Sequence, residues 1–169
     1  PSYVDLGSDL VLAISTGGSH TCAITNTPDL KCWGDNSHGQ LGDSSTSDRY
    51  TPTMVALSTT PVAVSTGDMH TCTILSDTTL SCWGDNSQGQ LGDGTNVNSN
   101  SPISNIVSGV SSVSLGNSHS CVLDTTNILK CWGDNTFSQL GDGTDSSQNT
   151  KFQDNYFPGI DIDLSKVLF

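Results

Sequence analysis

The chain has 169 residues and a net charge of −12 at neutral pH, because 17 acidic residues, all of them Asp, face only five Lys and Arg. This charge argues against binding the phosphates of nucleic acids or an anionic membrane surface, since both need clustered cations. No apolar run approaches the roughly 20 residues that span a bilayer. The chain is poor in helix formers and rich in Asp, Ser, Thr, Asn and Gly, so it predicts short strands joined by turns.

Each third of the chain begins with short apolar strands that end at a glycine. The predicted strands are 4–6 and 10–14 before Gly17, 54–57 and 62–65 before Gly67, and 106–107 and 110–114 before Gly116. Glycine at the end of a strand permits a positive φ and a close approach of the backbone.

A hairpin with two cysteines follows in each third. Residues 22–25 and 30–33 are predicted to be strands around a turn at 26–29. Antiparallel partners have a constant index sum, so pairing Cys22 with Cys32 also pairs Ile24 with Leu30. The same arithmetic applies to the later copies, and each cysteine pair can lie directly across two strands. The predicted disulfides are Cys22–Cys32, Cys72–Cys82 and Cys121–Cys131.

Three short disulfides predict an oxidising compartment outside the cell. In the loop-entropy account each bridge contributes roughly 2–3 kcal/mol. Zinc binding is the alternative interpretation, although zinc sites typically use closer spacings such as Cys-x2-Cys.

The second half of each hairpin opens a segment that occurs three times. It reads LKCWGDNSHGQLGD at 30–43 and returns at 80–93 and 129–142, after histidines that lie 50 and 49 residues apart. A fixed period near fifty residues indicates a repeat architecture. Within the segment, Trp-Gly-Asp is predicted to end a strand in a turn, and a leucine (Leu41, Leu91, Leu140) returns to the core.

Polar loops at 44–49, 94–100 and 143–148 follow the segment, and Pro52, Pro102 and Pro158 are predicted to close these loops and lead into the next strand. Residues 156–164 match 50–57 in kind, and 166–169 begin another inner strand with an open edge. The chain opens at Pro1, so we expect either that a leader has been removed or that this is a piece of a longer product.

The pattern Gly-x-x-His-x-Cys, then Leu-x-Cys-Trp-Gly-Asp-Asn-x-x-Gly-Gln-Leu-Gly-Asp-Gly, resembles the RCC1 (regulator of chromosome condensation) repeats. The likeness extends from about Val11 to Leu164 and is greatest to the cysteine-paired versions of secreted and cell-surface microbial proteins. It implies one four-stranded blade per repeat, with about seven blades in a closed propeller. The third copy departs from the pattern, with Phe137-Ser138 where Gly39 and Gly89 hold the second position.

The predicted fold is therefore all-β, with three four-stranded antiparallel blades of an RCC1-type β-propeller whose ring is incomplete in one chain. The predicted blades are 1–52, 53–102 and 103–155, and 156–169 are opening strands of a next blade. The chain could be a fragment of a longer propeller, could close a ring with other copies, or could continue from copy to copy as an open array.

No catalytic, cofactor or metal site is predicted. Blades hold His20, His70 and His119 apart, and the resemblance implies structural histidines bonded to backbone. Trp33, Trp83 and Trp132 are predicted to pack between blades, with sugar stacking as the alternative. The aspartates could bind calcium, but their spacing does not match the EF-hand and turn chemistry explains them without an ion. Serine-hydrolase and phosphate-loop motifs are absent from the sequence.

We expect a non-enzymatic extracellular protein, structural or adhesive, whose partners are other copies of itself. Val167, Leu168 and Phe169 are the predicted self-association residues. A recognition propeller of a larger secreted protein, binding a protein or a glycan, is the alternative. The nucleotide-exchange activity for which the family is named is the third hypothesis, and the disulfides and the shortage of basic residues count against it.

Overall fold

The computed structural model of the chain describes residues 3–149. Within that range it contains eleven strands and no helix, so none that could span a bilayer. The first blade consists of β1 (Val11–Thr16), β2 (His20–Thr25), β3 (Leu30–Gly34) and β4 (Arg49–Met54). The second consists of β5 (Pro61–Thr66), β6 (His70–Leu75), β7 (Leu80–Gly84) and β8 (Ser99–Ile103). The third has β9 (Val110–Leu115), β10 (His119–Asp124) and β11 (Leu129–Gly133).

Every blade is an antiparallel meander in chain order, from an inner strand to an outer one. In the third blade an isolated bridge joins Gly133 to Gln148. This bridge is the counterpart of Gly34–Arg49 and Gly84–Ser99, the pairs with which the outer strands of the other two blades begin. The prediction of an all-β fold built from antiparallel blades is confirmed. The predicted opening strands at 156–169 lie outside the described residues.

The hairpins have the register that the index sum predicts. Cys22 lies opposite Cys32 and Ile24 opposite Leu30, and the same pairs recur in the second and third blades. The predictions of the inner strand, the hairpin and the Trp-Gly turn, which rest on the repeat spacing and the index sum, are therefore confirmed. β4 ends at Met54 and β8 at Ile103, past the predicted blade boundaries at 52 and 102.

The strands predicted at 4–6, 54–57 and 106–107 are wrong. Of these residues only Met54 belongs to a strand, and it ends β4. Val55 and Ile106 are buried but lie outside the strands. The backbone N–H of Val55 donates to Leu30 O (2.9 Å), and that of Ile106 donates to Leu80 O (3.0 Å). The outer strands β4 and β8 contain Pro52 and Pro102, and an edge position tolerates proline because no ladder hydrogen bond is lost there.

The core lies between blades. Each blade has a trailing face, which carries the disulfide and packs on the next blade, and a leading face, which packs on the preceding one. Trp83 and Val64 of the second blade pack into the cluster around Cys22, Leu30 and Leu41. Trp132 and Val113 of the third blade pack in the same way on the second. Each junction therefore holds the apolar core of the blade before it.

Candidate functional site

The repeated motif builds a hydrogen-bonded junction between neighbouring blades. The carbonyl oxygen of Gln40 accepts from the Trp83 indole N–H (2.9 Å) and from the Thr71 hydroxyl (2.8 Å). The Thr71 oxygen also lies 2.8 Å from Nε2 of His20. Because the hydroxyl gives its proton to Gln40, the imidazole donates from Nε2, and this fixes its tautomer.

The second junction repeats this arrangement. Gln90 O accepts from Trp132 Nε1 at 2.9 Å and from the Ser120 hydroxyl at 2.8 Å, and His70 Nε2 lies 3.0 Å from that hydroxyl. The histidines thus bond to a hydroxyl of the next blade, whereas the family resemblance implied a backbone partner.

Burial keeps the junction histidines neutral. The rings of His20 and His70 are buried, and Nδ1 of each has no hydrogen-bond partner within residues 3–149. Burial lowers the pKa of His20 to about 4 and the pKa of His70 to about 3. His119, at the same position of the third blade, is half-buried. The three histidines occupy separate blades and do not converge on one site.

Serine side chains join the inner strands. The Ser15 oxygen accepts from Thr66 N (3.1 Å) and lies 2.8 Å from the Thr66 hydroxyl. Ser65 accepts from Leu115 N at 3.1 Å across the next junction. One side chain per blade therefore fixes the distance between neighbouring inner strands.

Glycines allow the tryptophans to reach the preceding blade. A Cβ on Gly42 would lie 2.6 Å from Nε1 of Trp83, and a Cβ on Gly92 would lie 2.5 Å from Nε1 of Trp132. Gly141 holds the same position in the third blade, and nothing lies within 4 Å of its Cβ direction.

A buried asparagine fastens each turn, a feature that sequence reasoning missed. Asn86 Nδ2 lies 3.1–3.2 Å from four oxygens, which belong to the Asp93 carboxylate, the Thr95 carbonyl and hydroxyl, and the Val97 carbonyl. Its Oδ1 accepts from Leu91 N at 2.9 Å. Asn36 and Asn135 make the same set of contacts. The recurrence of Asn after Trp-Gly-Asp in all three copies is the signal that could have revealed it.

The repeated aspartates are also used by the turns. Asp85 accepts from the Gln90 side chain (2.7 Å) and from Ser87 N (3.2 Å), and the other copies do likewise. Within residues 3–149 no group of three or more His, Cys, Asp or Glu side chains is arranged to hold a metal ion. The carboxylates suggested for calcium thus already have protein donors.

The six cysteines form the pairs Cys22–Cys32, Cys72–Cys82 and Cys121–Cys131, each with Cα atoms 4.1 Å apart. The first two bridges are fully buried under the next blade. The third bridge, which has no blade after it in the described part of the chain, is half-buried.

Within residues 3–149, two faces of the three-blade arc therefore have no neighbouring blade. On the leading face of the first blade, Ile14 is 63% exposed, although its counterparts Val64 and Val113 pack on a neighbour. On the trailing face of the third blade, Leu129 is 50% exposed, whereas Leu30 and Leu80 are buried. The predicted self-association residues Val167, Leu168 and Phe169 lie outside the described residues.

Two models of the regulator of chromosome condensation (RCC1) repeat match this chain, one over residues 11–40, 62–90 and 110–139, the other over 32–74 and 80–123. Among curated proteins, Ras guanine nucleotide exchange factor C of Dictyostelium discoideum is 50% identical over 42 residues, which are 25% of this chain and 3% of that protein. The human E3 ubiquitin-protein ligase HERC2 is 44% identical over 46 residues, or 27% of this chain and 1% of that protein.

Solved structures show the same fold. Prp20p of Saccharomyces cerevisiae superposes with a TM-score of 0.77 at 22% identity, over 86% of this chain and 38% of that one. Human WBSCR16 superposes with a TM-score of 0.73 at 23% identity, over 90% of this chain and 41% of that one. The chain thus spans a small part of its curated relatives and about two fifths of these propellers. With repeat matches along more than half its length, the chain belongs to the regulator of chromosome condensation (RCC1) repeat family.

Proposed function

We propose that this chain is a non-enzymatic extracellular structural or adhesive protein that self-associates head to tail. In this contact the open leading face of one copy packs on the open trailing face of another. The observation that carries the proposal is that both faces retain the groups with which the blades inside the chain bind each other.

The leading face of the first blade has the donor half of a junction. Thr21 and Trp33 correspond to Thr71 and Trp83, and both are half-buried rather than buried. No blade precedes the first within residues 3–149, so the Thr21 hydroxyl and the Trp33 indole N–H lack the acceptor that Gln40 provides for Thr71 and Trp83. Together with Ile14, these groups form an apolar face with two polar donors and match the surface that Trp83 and Thr71 present to the first blade.

The trailing face of the third blade has the acceptor half. Gln139 corresponds to Gln40 and Gln90, whose carbonyls receive the tryptophan and hydroxyl donors. Leu129 and Leu140 correspond to Leu30 and Leu41, which pack with Trp83 inside the chain. They would therefore flank the Trp33 ring of a second copy. Burial of such a face is favourable at about 25 cal/mol per Å² of apolar surface, before the cost of association.

The extracellular part of the proposal rests on the three disulfides, because such bridges persist in oxidising compartments and are rare in the cytosol. The non-enzymatic part rests on how the repeated polar groups are used. Each junction histidine is held by a hydroxyl of the next blade, and each Asp and Asn of the motif is held by its own turn.

The first test is the assembly state of the native protein, measured without reductant by sedimentation, light scattering and electron microscopy. We expect oligomers or filaments whose size grows with protein concentration. Ile14→Asp should weaken association, because Val64 shows that this position faces the neighbouring blade. Leu12→Asp is the matched control, since its counterpart Val62 remains 55% exposed in the middle of the arc.

A chain that stays monomeric at every concentration would overturn the proposal. It would favour the second candidate, a recognition propeller within a larger secreted protein that binds a protein or glycan through its loops. The observation behind this candidate is coverage, because the arc spans only 38–41% of the similar propellers Prp20p and WBSCR16. Nucleotide exchange is the third candidate, suggested by the name of the Dictyostelium relative, and catalysed GDP release from a small GTPase would support it.

A further inference from the structure

At the outer rim of each junction inside the chain, beside the outer strands, a glycine lets the backbones of two neighbouring blades touch. A Cβ on Gly39 would lie 2.5 Å from Cα of Asn100 in the second blade, and a Cβ on Gly89 would lie 2.5 Å from Cα of Asn149 in the third. Carbon atoms do not approach so closely, so each pair of backbones touches only because glycine has no side chain. Both glycines also have positive φ, near +80°.

The third blade lacks this glycine. Ser138 takes its place, with φ +58, and its Cβ points where the next blade would come. In a head-to-tail contact with the geometry of the internal junctions, the counterpart of Asn100 is Tyr50 of the second copy. The backbone at Tyr50 would collide with the Ser138 Cβ. The outer rim between copies must therefore be wider than the rims inside the chain.

Two exposed aromatic side chains flank the widened rim. Inside the chain, His38 and Asn100 line a polar groove of about 290 Å³ between the first and second blades. The counterpart of His38 on the third blade is Phe137, which is 88% exposed, and the counterpart of Asn100 on the first blade is Tyr50, which is 95% exposed. Polar residues at the internal rim thus correspond to aromatic residues at the two ends of the arc.

The hydrogen-bonding groups of the junction are retained at both ends of the arc. The third blade retains Ser114, His119 and the Gln139 position, and the first blade retains Thr21 and Trp33. The third blade also has Ser112 where Ala13 and Ala63 pack into the internal junctions, so the departures from the internal pattern are greatest at the outer rim but are not confined to it.

Resting on the self-association proposed above, we infer that Phe137 of one copy packs against Tyr50 of the next and that Ser138 holds the two backbones apart to admit these rings. Aromatic pairs prefer centroid separations of about 4.5–7 Å, which suits a gap too wide for the backbone contact that Gly39 allows. The contact between copies is thus distinguished from those within a copy by an aromatic rim.

The test replaces the two exposed aromatic residues with the polar residues found at the equivalent positions of the internal rims. Phe137→Gln copies Gln88, and Tyr50→Asn copies Asn100. Each variant should raise the dissociation constant of the oligomer about tenfold, measured by sedimentation, with no change in thermal unfolding of the dilute chain. The double variant should raise the dissociation constant by less than the product of the two single increases, because both substitutions remove the same contact. The control is Val97→Asn, at a side chain that is 70% exposed in the middle blade. It should change neither the dissociation constant nor the thermal unfolding.

A third variant isolates Ser138. Adding Ser138→Gly to the double variant recreates the internal rim in full and should restore association. If it remains as weak as the double variant, Ser138 does not set the width of the rim. If the native chain associates and the aromatic variants associate as tightly, the inference is wrong while the proposed self-association stands. A native chain that never associates overturns both.

Discussion

At the scale of single residues, the buried asparagines show how one amide group organises a whole loop. The amide nitrogen of Asn86 lies among four oxygens that belong to residues 93–97, and its oxygen accepts from the backbone N–H of Leu91. Acceptors crowded in this way need a donor between them, because buried lone pairs left without one cost free energy. The asparagine thus joins the loop at residues 93–97 to the turn that leads to Leu91.

We predict that Asn86→Asp lowers the free energy of unfolding by about 3 kcal/mol, because it replaces a donor with a carboxylate oxygen facing Asp93. Urea unfolding measures the change. The control is Asn105→Asp, the same substitution at an exposed position outside this loop, where we expect at most about 0.5 kcal/mol. Equal losses at the two sites would contradict the role given to Asn86.

The junction histidines make stability depend on pH. An unfolded histidine takes up its proton near pH 6.5, whereas burial lowers the pKa of His20 to about 4 and that of His70 to about 3. Between these values the unfolded chain binds more protons than the folded one. The stability that these neutral histidines contribute is therefore fully present above pH 6.5. It is lost as the pH falls, and the free energy of unfolding decreases by up to about 1.4 kcal/mol per pH unit for each histidine.

We predict that the unfolding free energy falls between pH 7 and pH 5, above the range in which ordinary carboxyl groups titrate. His70→Gln retains a donor for Ser120 and removes one titrating ring, so the slope against pH should drop by about half. Urea titrations at several pH values test this. An unchanged slope in the variant would show that the pH dependence has another source.

At the scale of elements, glycine and tryptophan from different blades act as a pair. Gly92 and Gly141 have similar positive φ, +75 and +70, but only Gly92 lies beneath a tryptophan of the next blade. A substitution at Gly141 therefore measures the backbone strain alone. The same substitution at Gly92 adds the displacement of Trp132.

We predict that Gly141→Ala costs about 1 kcal/mol, the usual penalty for a side chain at positive φ, and that Gly92→Ala costs about 3 kcal/mol or more because Trp132 is forced from its site. Thermal unfolding gives the difference, and a red shift of tryptophan emission should accompany Gly92→Ala only. Equal costs would mean that the Trp132 ring has room to move.

The sequence predicts the elements whose pattern is local. Period, hairpin register and cysteine pairing follow from spacing, because cross-strand partners such as Cys22 and Cys32 lie only ten residues apart. The sequence does not predict that the outer strands begin before their prolines and complete the preceding blade, because β4 and β8 are polar, contain proline and pair at one edge only. The sequence does not predict the hydrogen bonds to the Gln40 carbonyl either, because every residue has the same backbone acceptor and the donors, Thr71 and Trp83, lie in another blade.

At the scale of the whole molecule, charge opposes the proposed contact between copies. Each chain has a net charge of −12, so two copies repel each other at low ionic strength. The junction itself is built from apolar side chains and neutral hydrogen bonds, which salt does not weaken.

We predict that head-to-tail association strengthens as NaCl rises from about 0.05 to 0.5 M, because the Debye length falls from about 14 to 4 Å and screens this repulsion. Sedimentation at fixed protein concentration tests it. Oligomers that dissociate with added salt would indicate a contact made by ion pairs instead.

The disulfides join strands within a blade and never one blade to the next. Under tension along an array of such blades, neighbouring blades would separate one after another. Each disulfide would carry the force directly between its two cysteines, so the hairpin residues between them would not be extended. A bridge of sequence separation 10 withholds about 35 Å of contour length at most. An array of these blades would thus stretch in steps and stop short of full extension, and reduction would lengthen every step by that amount.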